Sequence, residues 1–343
     1  MHVNTLIIGA GPGGLACAKL LAQEGVNVLV LERKPVIGAK VCAGGITWSG
    51  LISRLPETLA EQSFCRQYVQ TPLQRIYIEE QNPIIATVNR KKLGSMMAAQ
   101  AKEAGAAIRT AVIVRKINVH SVIVQEKLSK QSEEISFDYL VGADGSSSLV
   151  RRHLGLTNKK IGIGINYTIP GKTDKMEWHL NNKLFSNGYA WIFPHAETIS
   201  IGAYAPKQSI SSKRLKNSLI MWAEKQGYSL AQEQARAELI NFDFQGYNFG
   251  NTFLVGDAAG LASGLTGEGI YPAIISGEQV AKTICNASHS SEVMAALIKK
   301  HKKHCKMVQL TAKNGFLNAI LAELVTLSLR SGILKFEKLE MAV

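Results

Sequence analysis

Three glycines, Gly9, Gly11 and Gly14, stand in the order GxGxxG directly after the apolar run Val3 to Ile8 and ahead of residues with helical spacing, Leu15, Lys19, Leu20 and Gln23. The chemistry this arrangement serves is the holding of a pyrophosphate. The first glycine permits a tight turn, the second lets the backbone approach the phosphates, and the third lets the helix pack closely on the strand. The helix start then meets the anion with N–H groups. Glu32 follows at the end of the next apolar run, Val26 to Leu31, where a carboxylate can accept hydrogen bonds from a ribose diol and repels a 2′-phosphate. Arg33 beside it is placed in the same binding set. These residues specify a dinucleotide and leave open which one.

Further along, the apolar strand ending in Gly256 and Asp257 puts a carboxylate at the carboxyl edge of a sheet, where ligands of open α/β sheets sit; it is equally a helix cap. Gly264, Thr266, Gly267, Glu268 and Gly269 form a glycine-rich loop leading into a helix at Tyr271 to Ser276, and such a loop offers N–H groups to a planar, electron-rich ring. No side chain stands out as a catalytic acid or base. His301 and His304 share a helix face, but lysines 299, 300, 302, 303 and 306 surround them and no further ligand is near in sequence. The expectation is a solvated face and no metal.

The elements that must position these groups fit a chain of 343 residues with 46% hydrophobic content, enough for one large core or two interlocked ones. The net charge of +13 points to anionic company or simple solubility. The 5 cysteines form no CxxC pair in a chain too large to need disulfide staples, so a reducing, cytoplasmic setting is expected. The uncharged start, Met1 to Ala18, is broken by Gly9, Gly11, Pro12, Gly13 and Gly14, which suit a turn rather than a membrane-spanning helix, and it lacks the basic start of a signal peptide. The first strand, turn, helix and second strand form a right-handed βαβ unit. Alternation through Arg75, Ile76, Tyr77 and Ile78 with a turn at Gln81, Asn82 and Pro83 predicts a hairpin over 73–88. Residues 1–70, 90–155 and 248–285 read as one discontinuous nucleotide domain, 71–89 and 156–247 as a strand-rich substrate domain, and 286–343 as a helical region.

Three segments carry a resemblance. VCAGGIT at 41–47, GYAWIFP at 188–194 and GDAAGLASGLTGEGI at 256–270 resemble the geranylgeranyl reductase family of FAD-dependent oxidoreductases, part of the flavoprotein hydroxylase-like superfamily, over residues 3 to 285. The resemblance implies an α/β fold: a Rossmann-type FAD-binding domain, an interleaved β-sheet substrate domain and a helical C-terminal region. It implies FAD as cofactor, NAD(P)H or another reductant as electron donor, and reduction of carbon–carbon double bonds in an apolar, isoprenoid-type substrate. The alternatives are a monooxygenase on the same scaffold and a prenyl-binding chaperone without redox activity. Residue by residue, the resemblance puts Asp257 on the flavin ribityl chain, Asp144 and Gly145 of VGADGSSSLVRR among the groups that arrange the cofactor, Arg90 in contact with it, and Gly267 and Gly269 beside the isoalloxazine. Cys42 aligns with a cysteine near the flavin, although Ala43 interrupts the usual CGGG pattern. On the substrate side, Tyr189, Trp191 and Phe193 match YxWxFP; Gly202 matches the GxG that follows, and Tyr204 replaces its second glycine.

The C-terminal region joins the five lysines at 299–306 to an apolar helical stretch from Phe316, in which Leu317, Ile320, Leu324 and Leu327 follow helical spacing. So broad an apolar face suits an interfacial helix on an anionic membrane or a helix packed over a substrate tunnel. Peripheral membrane contact is therefore expected of one reading, and nucleic acid of none.

Overall fold

The computed structural model describes residues 1–38, 40–312 and 315–342. Its first layer is an eight-stranded sheet in which Thr252–Leu254, Ser132–Gly142, His2–Ile8, Val28–Leu31 and Ala107–Arg109 run side by side in that order. The central pairs are parallel, with Ile8 opposite both Leu31 and Gly142, and Gly142 opposite Leu254. All four strand ends therefore finish at one edge, and the groups that follow them share one cleft. Where these strands pair at the centre, residues 5–8, 28–31 and 140–142 are buried on both faces, as parallel strands covered by helices must be.

The helices Pro12–Gln23 and Ile270–Cys285 cross at glycines. A Cβ on Gly277 would run into the Gly13 carbonyl, and one on Gly13 would lie 2.8 Å from the Ala273 carbonyl. This contact brings the end of the chain's second half onto the first helix, so the pieces of the nucleotide unit close on each other.

The second layer is a seven-stranded sheet ordered Arg236–Asn241, Ile161–Pro170, Thr198–Pro206, Tyr189–Pro194, Glu177–His179, Arg66–Gln70 and Arg75–Glu79. Its register sets Tyr189 opposite Tyr204 and Trp191 opposite Gly202. Gly202 has a clear function here, because any Cβ would strike the Trp191 ring. A third, three-stranded sheet pairs Gly45–Thr47, Ile85–Val88 and Ala60–Phe64.

The hairpin expected over 73–88 does not form. Arg75–Glu79 pairs with Arg66–Gln70, and Ile85–Val88 goes to the three-stranded sheet. Arg75–Glu79 has an exposed face and sits at an edge, whereas every residue of Ile85–Val88 is buried and needs a partner on each side. Alternation identifies a strand; it does not choose the neighbour. The boundary expected at residue 71 accordingly falls between two strands of one sheet.

Helices Glu292–Ala312 and Gly315–Arg330 follow, then a short 3₁₀ turn at Phe336–Leu339. Among the described residues, no helix is long and apolar enough to cross a membrane. The solvated face expected for His301 and His304 is overturned: both are 2% exposed. With Met294, Leu297, Cys305 and Val308 they form the inward stripe of the lysine-rich helix, and Lys299, Lys302, Lys303 and Lys306 take the outer side. Lysine neighbours in sequence are not neighbours in space when the period is 3.6. Ser263 Oγ accepts from the Leu265 and Thr266 amides, so its own proton goes to His304 Nδ1 at 2.8 Å, which fixes the Nε2–H tautomer.

Burial lowers both imidazoles from 6.5 to about 4, with nearby lysines acting in the same sense. Their folded-state values lie below the unfolded ones, so stability is fully present above pH 6.5 and is lost as pH falls through about 4. Each histidine can contribute at most about 1.4 kcal/mol per pH unit in that window. Denaturant titrations between pH 7 and 4 should show this loss, and a His301→Leu/His304→Gln variant should show a flatter slope.

Candidate functional site

A single cavity of about 830 Å³ runs from the carboxyl edge of the parallel sheet to the inner face of the seven-stranded sheet. Its lining takes in Gly9, Gly11, Glu32, Arg33, Cys42, Ala43, Arg90, Asp144, Gly145, Asp257, Gly267 and Gly269 together with Tyr189, Trp191, Phe193 and Tyr204. Gly14 lies behind the wall: a Cβ there would strike the Gly9 carbonyl.

At the glycine turn, Gly9 has φ +106 and lies hard against Ala143 and Asp144, so no side chain fits. Gly11 is open; a Cβ there would come no nearer than 3.9 Å to the Ala143 carbonyl. Glu32 is held by two backbone amides, Ala10 N to Oε2 at 2.9 Å and Lys34 N to Oε1 at 2.8 Å. Each oxygen keeps a lone pair for a ligand hydroxyl. Asp144 uses Oδ2 to accept from Leu149 N at 2.6 Å, while its buried Oδ1 has no protein partner. Burial raises its pKa against the pull of Ser148 and the backbone amides.

In the middle of the cavity, Asp257 Oδ2 receives Lys40 Nζ at 2.7 Å and Ser146 Oγ at 3.0 Å. Asn241, fully buried, donates to the Asp257 carbonyl at 2.9 Å. Removal from water opposes the charge on Lys40, but the Asp257 carboxylate outweighs it and the ammonium's pKa is raised. Arg90 opens a helix capped by Asn89, and its Nε and Nη1 are buried with no partner in the protein. Buried guanidinium N–H groups without acceptors are costly, so a ligand oxygen is the natural complement.

Residues 265–269 of the glycine-rich loop line the same cavity. Tyr189 Oη donates to the Thr266 carbonyl at 2.5 Å, and Tyr204 Oη to the Gly264 carbonyl at 2.8 Å. Glu268 accepts from Met341 N at 2.8 Å through Oε2, and Oε1 is buried without a partner. Burial pushes this carboxyl up to about 7 against the Met341 amide and Lys300. Cys42 is half-buried, and its Sγ accepts from Gly44 N at 3.4 Å. Beneath that strand entry, His195 donates from Nε2 to the Ala43 carbonyl at 2.9 Å and sits 2.6 Å from Glu61 through Nδ1.

The far end of the cavity is apolar. Trp178 stacks edge-on with Phe193 at 4.8 Å and lies 5.3 Å from Tyr189, and Leu321, Val325 and Leu329 of the last helix close the other side. Lys40, Asn241 and Trp178 had no motif to announce them. Ser146 stands next to DG in the sequence, which is a usable signal; Lys40 and Trp178 become visible only through contacts.

The profile of the FAD-binding domain family matches residues 2–215. The chain belongs to that family. Its cofactor is FAD. A digeranylgeranylglycerophospholipid reductase of Methanothermobacter thermautotrophicus is 29% identical over 307 residues, covering 83% of this chain and 79% of the relative. One from Methanosarcina acetivorans is 26% identical over 380 residues, covering 98% and 90%. Among solved structures, a geranylgeranyl bacteriochlorophyll reductase-like protein from Thermoplasma acidophilum superimposes with a TM-score of 0.74 at 23% identity, over 94% of this chain and 87% of that one, which shows a shared fold.

The residues fit FAD on three counts: an open glycine at the turn, a carboxylate with free lone pairs at the second strand end, and a buried guanidinium on the same cavity with Nε and Nη1 unpartnered. Asp257→Ala should weaken FAD retention on the order of 10- to 100-fold, the worth of a hydrogen bond to a charged group, and Arg90→Met should do the same. Cys42→Ala should leave it within a few-fold. Equilibrium dialysis of flavin against each purified variant measures all three.

Proposed function

We propose that this protein reduces carbon–carbon double bonds of an isoprenoid lipid, using FAD reduced by NAD(P)H or another donor. The observation that carries the reading is the continuity of the cavity: charged where a dinucleotide binds, apolar and aromatic beyond, with no wall between. The eight-stranded sheet serves as the cofactor domain and the seven-stranded sheet as the substrate domain. Gly9 and Gly11 receive the pyrophosphate, Glu32 the ribose, Asp257 and Arg90 the ribityl side, and Gly267 and Gly269 the ring. The relatives named as digeranylgeranylglycerophospholipid reductases support the choice of substrate class. FAD supplies hydride when reduced; the protein orients the alkene beside it and keeps water out with Trp178, Trp191 and Phe193.

The same reading includes peripheral contact with an anionic membrane. Gly315–Arg330 lines the cavity with Leu321, Val325 and Leu329, while Ile320, Leu324 and Leu327 on the same helix are 39%, 51% and 50% exposed. The helix before it presents Lys299, Lys302, Lys303 and Lys306 outward. Apolar and cationic groups side by side suit a lipid surface, where each lysine contributes on the order of 1 kcal/mol and salt weakens the attraction.

Anaerobic incubation of dithionite-reduced protein with a digeranylgeranylglycerol phospholipid should give products heavier by two hydrogens per double bond. An oxygen-dependent gain of one oxygen atom would instead make it a hydroxylase. Vesicles of phosphatidylglycerol should co-sediment the protein at low salt and release it at high salt, and Ile320→Asp/Leu324→Asp should abolish binding with the flavin retained. Binding that survives this double change would remove the helix from the membrane contact.

A further inference from the structure

The resemblance places Tyr189 on the substrate side and expects glycine at position 204. The geometry gives both tyrosines a different occupation. They are directly opposite each other on adjacent antiparallel strands, with rings 5.7 Å apart, and both are buried. Their hydroxyls donate to two alternate carbonyls of one segment, Thr266 and Gly264. Residues 264–266 form a tight turn closed by Gly267 N donating to the Ser263 carbonyl, and one cross-strand pair of the sheet holds that turn through two of its carbonyls. Gly267, with φ +69, lies against the same rings: a Cβ there would sit 3.3 Å from Tyr189 Oη and 3.7 Å from the Tyr204 ring. From a separate helix, His304 holds the loop's start through Ser263.

Tyr204 is accommodated by a glycine elsewhere. A Cβ on Gly162 would collide with the Tyr204 ring, so the space that glycine at 204 would leave is filled by tyrosine and vacated at 162. The hydroxyl gained is what reaches Gly264. Both tyrosines also line the cavity beside Trp191 and Phe193, so whatever fills the apolar chamber touches the grip. Directly after the loop comes the helix Ile270–Cys285, which lines the same cavity through Ile270 and Ala273.

We infer that Tyr189 and Tyr204 are positioning residues that set the flavin loop and report occupancy of the apolar chamber to the cofactor. The inference rests on the lipid reading for what fills the chamber, and on geometry alone for the grip. An apolar chain laid against the two rings shifts them, their hydroxyls shift the Gly264 and Thr266 carbonyls, and the loop alters the surroundings of the flavin. Substrate contact and cofactor tuning then share two side chains.

The test uses FAD-loaded protein and geranylgeraniol dispersed in detergent, with two readouts besides turnover. The first is the flavin absorbance difference spectrum on titration with the alcohol, whose binding is followed separately by equilibrium dialysis. The second is the dissociation constant for FAD. Wild type should give a saturable difference spectrum. Tyr204→Phe and Tyr189→Phe, which keep the rings, should bind the alcohol nearly as well but lose at least half the spectral amplitude. Their FAD dissociation constants should rise about 3- to 10-fold, as expected for leaving a buried carbonyl without its donor. Full amplitude in both variants overturns the inference, as does a silent wild-type flavin when the alcohol is bound. If geranylgeraniol does not bind at all, the lipid reading is what fails; the grip is then judged on FAD affinity, and an unchanged constant in Tyr204→Phe overturns it.

Discussion

The guanidinium of Arg151 is 1% exposed, and the structure around it is arranged to make that tolerable. Its Nη1 donates to the Ala258 and Ala259 carbonyls, and its Nη2 to those of Asp243 and Thr157, with the Asp243 carboxylate 3.8 Å away. Burial lowers its pKa and Asp243 counters this. A buried cation stripped of partners costs several kcal/mol, so each of these carbonyls is held where it is by the charge it serves. The segments concerned are the end of the substrate sheet at Asp243, the connection at Thr157 and the turn that carries Asp257. One arginine therefore fixes the segment that carries Asp257 relative to both layers.

From that centre the cavity grades from charge to grease in a way that follows strand ends. The parallel strands stop at one edge and leave Gly9, Glu32, Asp144 and Asp257 there with their polar groups outward. The antiparallel sheet turns its aromatic face toward the same space, and Gly202 and Gly162 make room for Trp191 and Tyr204 respectively. Polarity at each end is thus a property of the layer rather than of individual choices, and a dinucleotide joined to an apolar partner is what the shape accepts.

Much of this was legible in the sequence because it depends on local backbone demands. Glycines at 9, 11 and 14 and an acid at 32 announce their unit within a short stretch, and GD at 256–257 and the loop at 264–269 sit where strand meets helix. What failed was partnership. The run at 73–88 was recognisable as strand, yet burial on both faces sent Ile85–Val88 to a different sheet. His301 and His304 looked solvated among lysines because sequence adjacency hides which side of a helix faces the core. Lys40 and Asp257 are an ion pair between distant parts of the chain, and Tyr204 needed Gly162 beside it to be understood; neither relation has a sequence period.

The last helix has a further consequence. Leu321, Val325 and Leu329 face the chamber while Ile320, Leu324 and Leu327 face outward, so this wall is one helix thick. Its inner residues Val325 and Leu329 pack with Val69, Ile76 and Trp178, and Glu323 accepts from Thr71 and Gln74, so the helix is tied to the edge of the seven-stranded sheet, while none of the residues named around Asp257 or the glycine turn belongs to it. The chamber's outer wall is thus a segment separate in sequence from the residues around Asp257, and it meets the rest of the site through the sheet edge it packs on. Substitutions on its chamber-facing side are felt first along that sheet edge, whereas those on Ile320, Leu324 and Leu327 meet solvent.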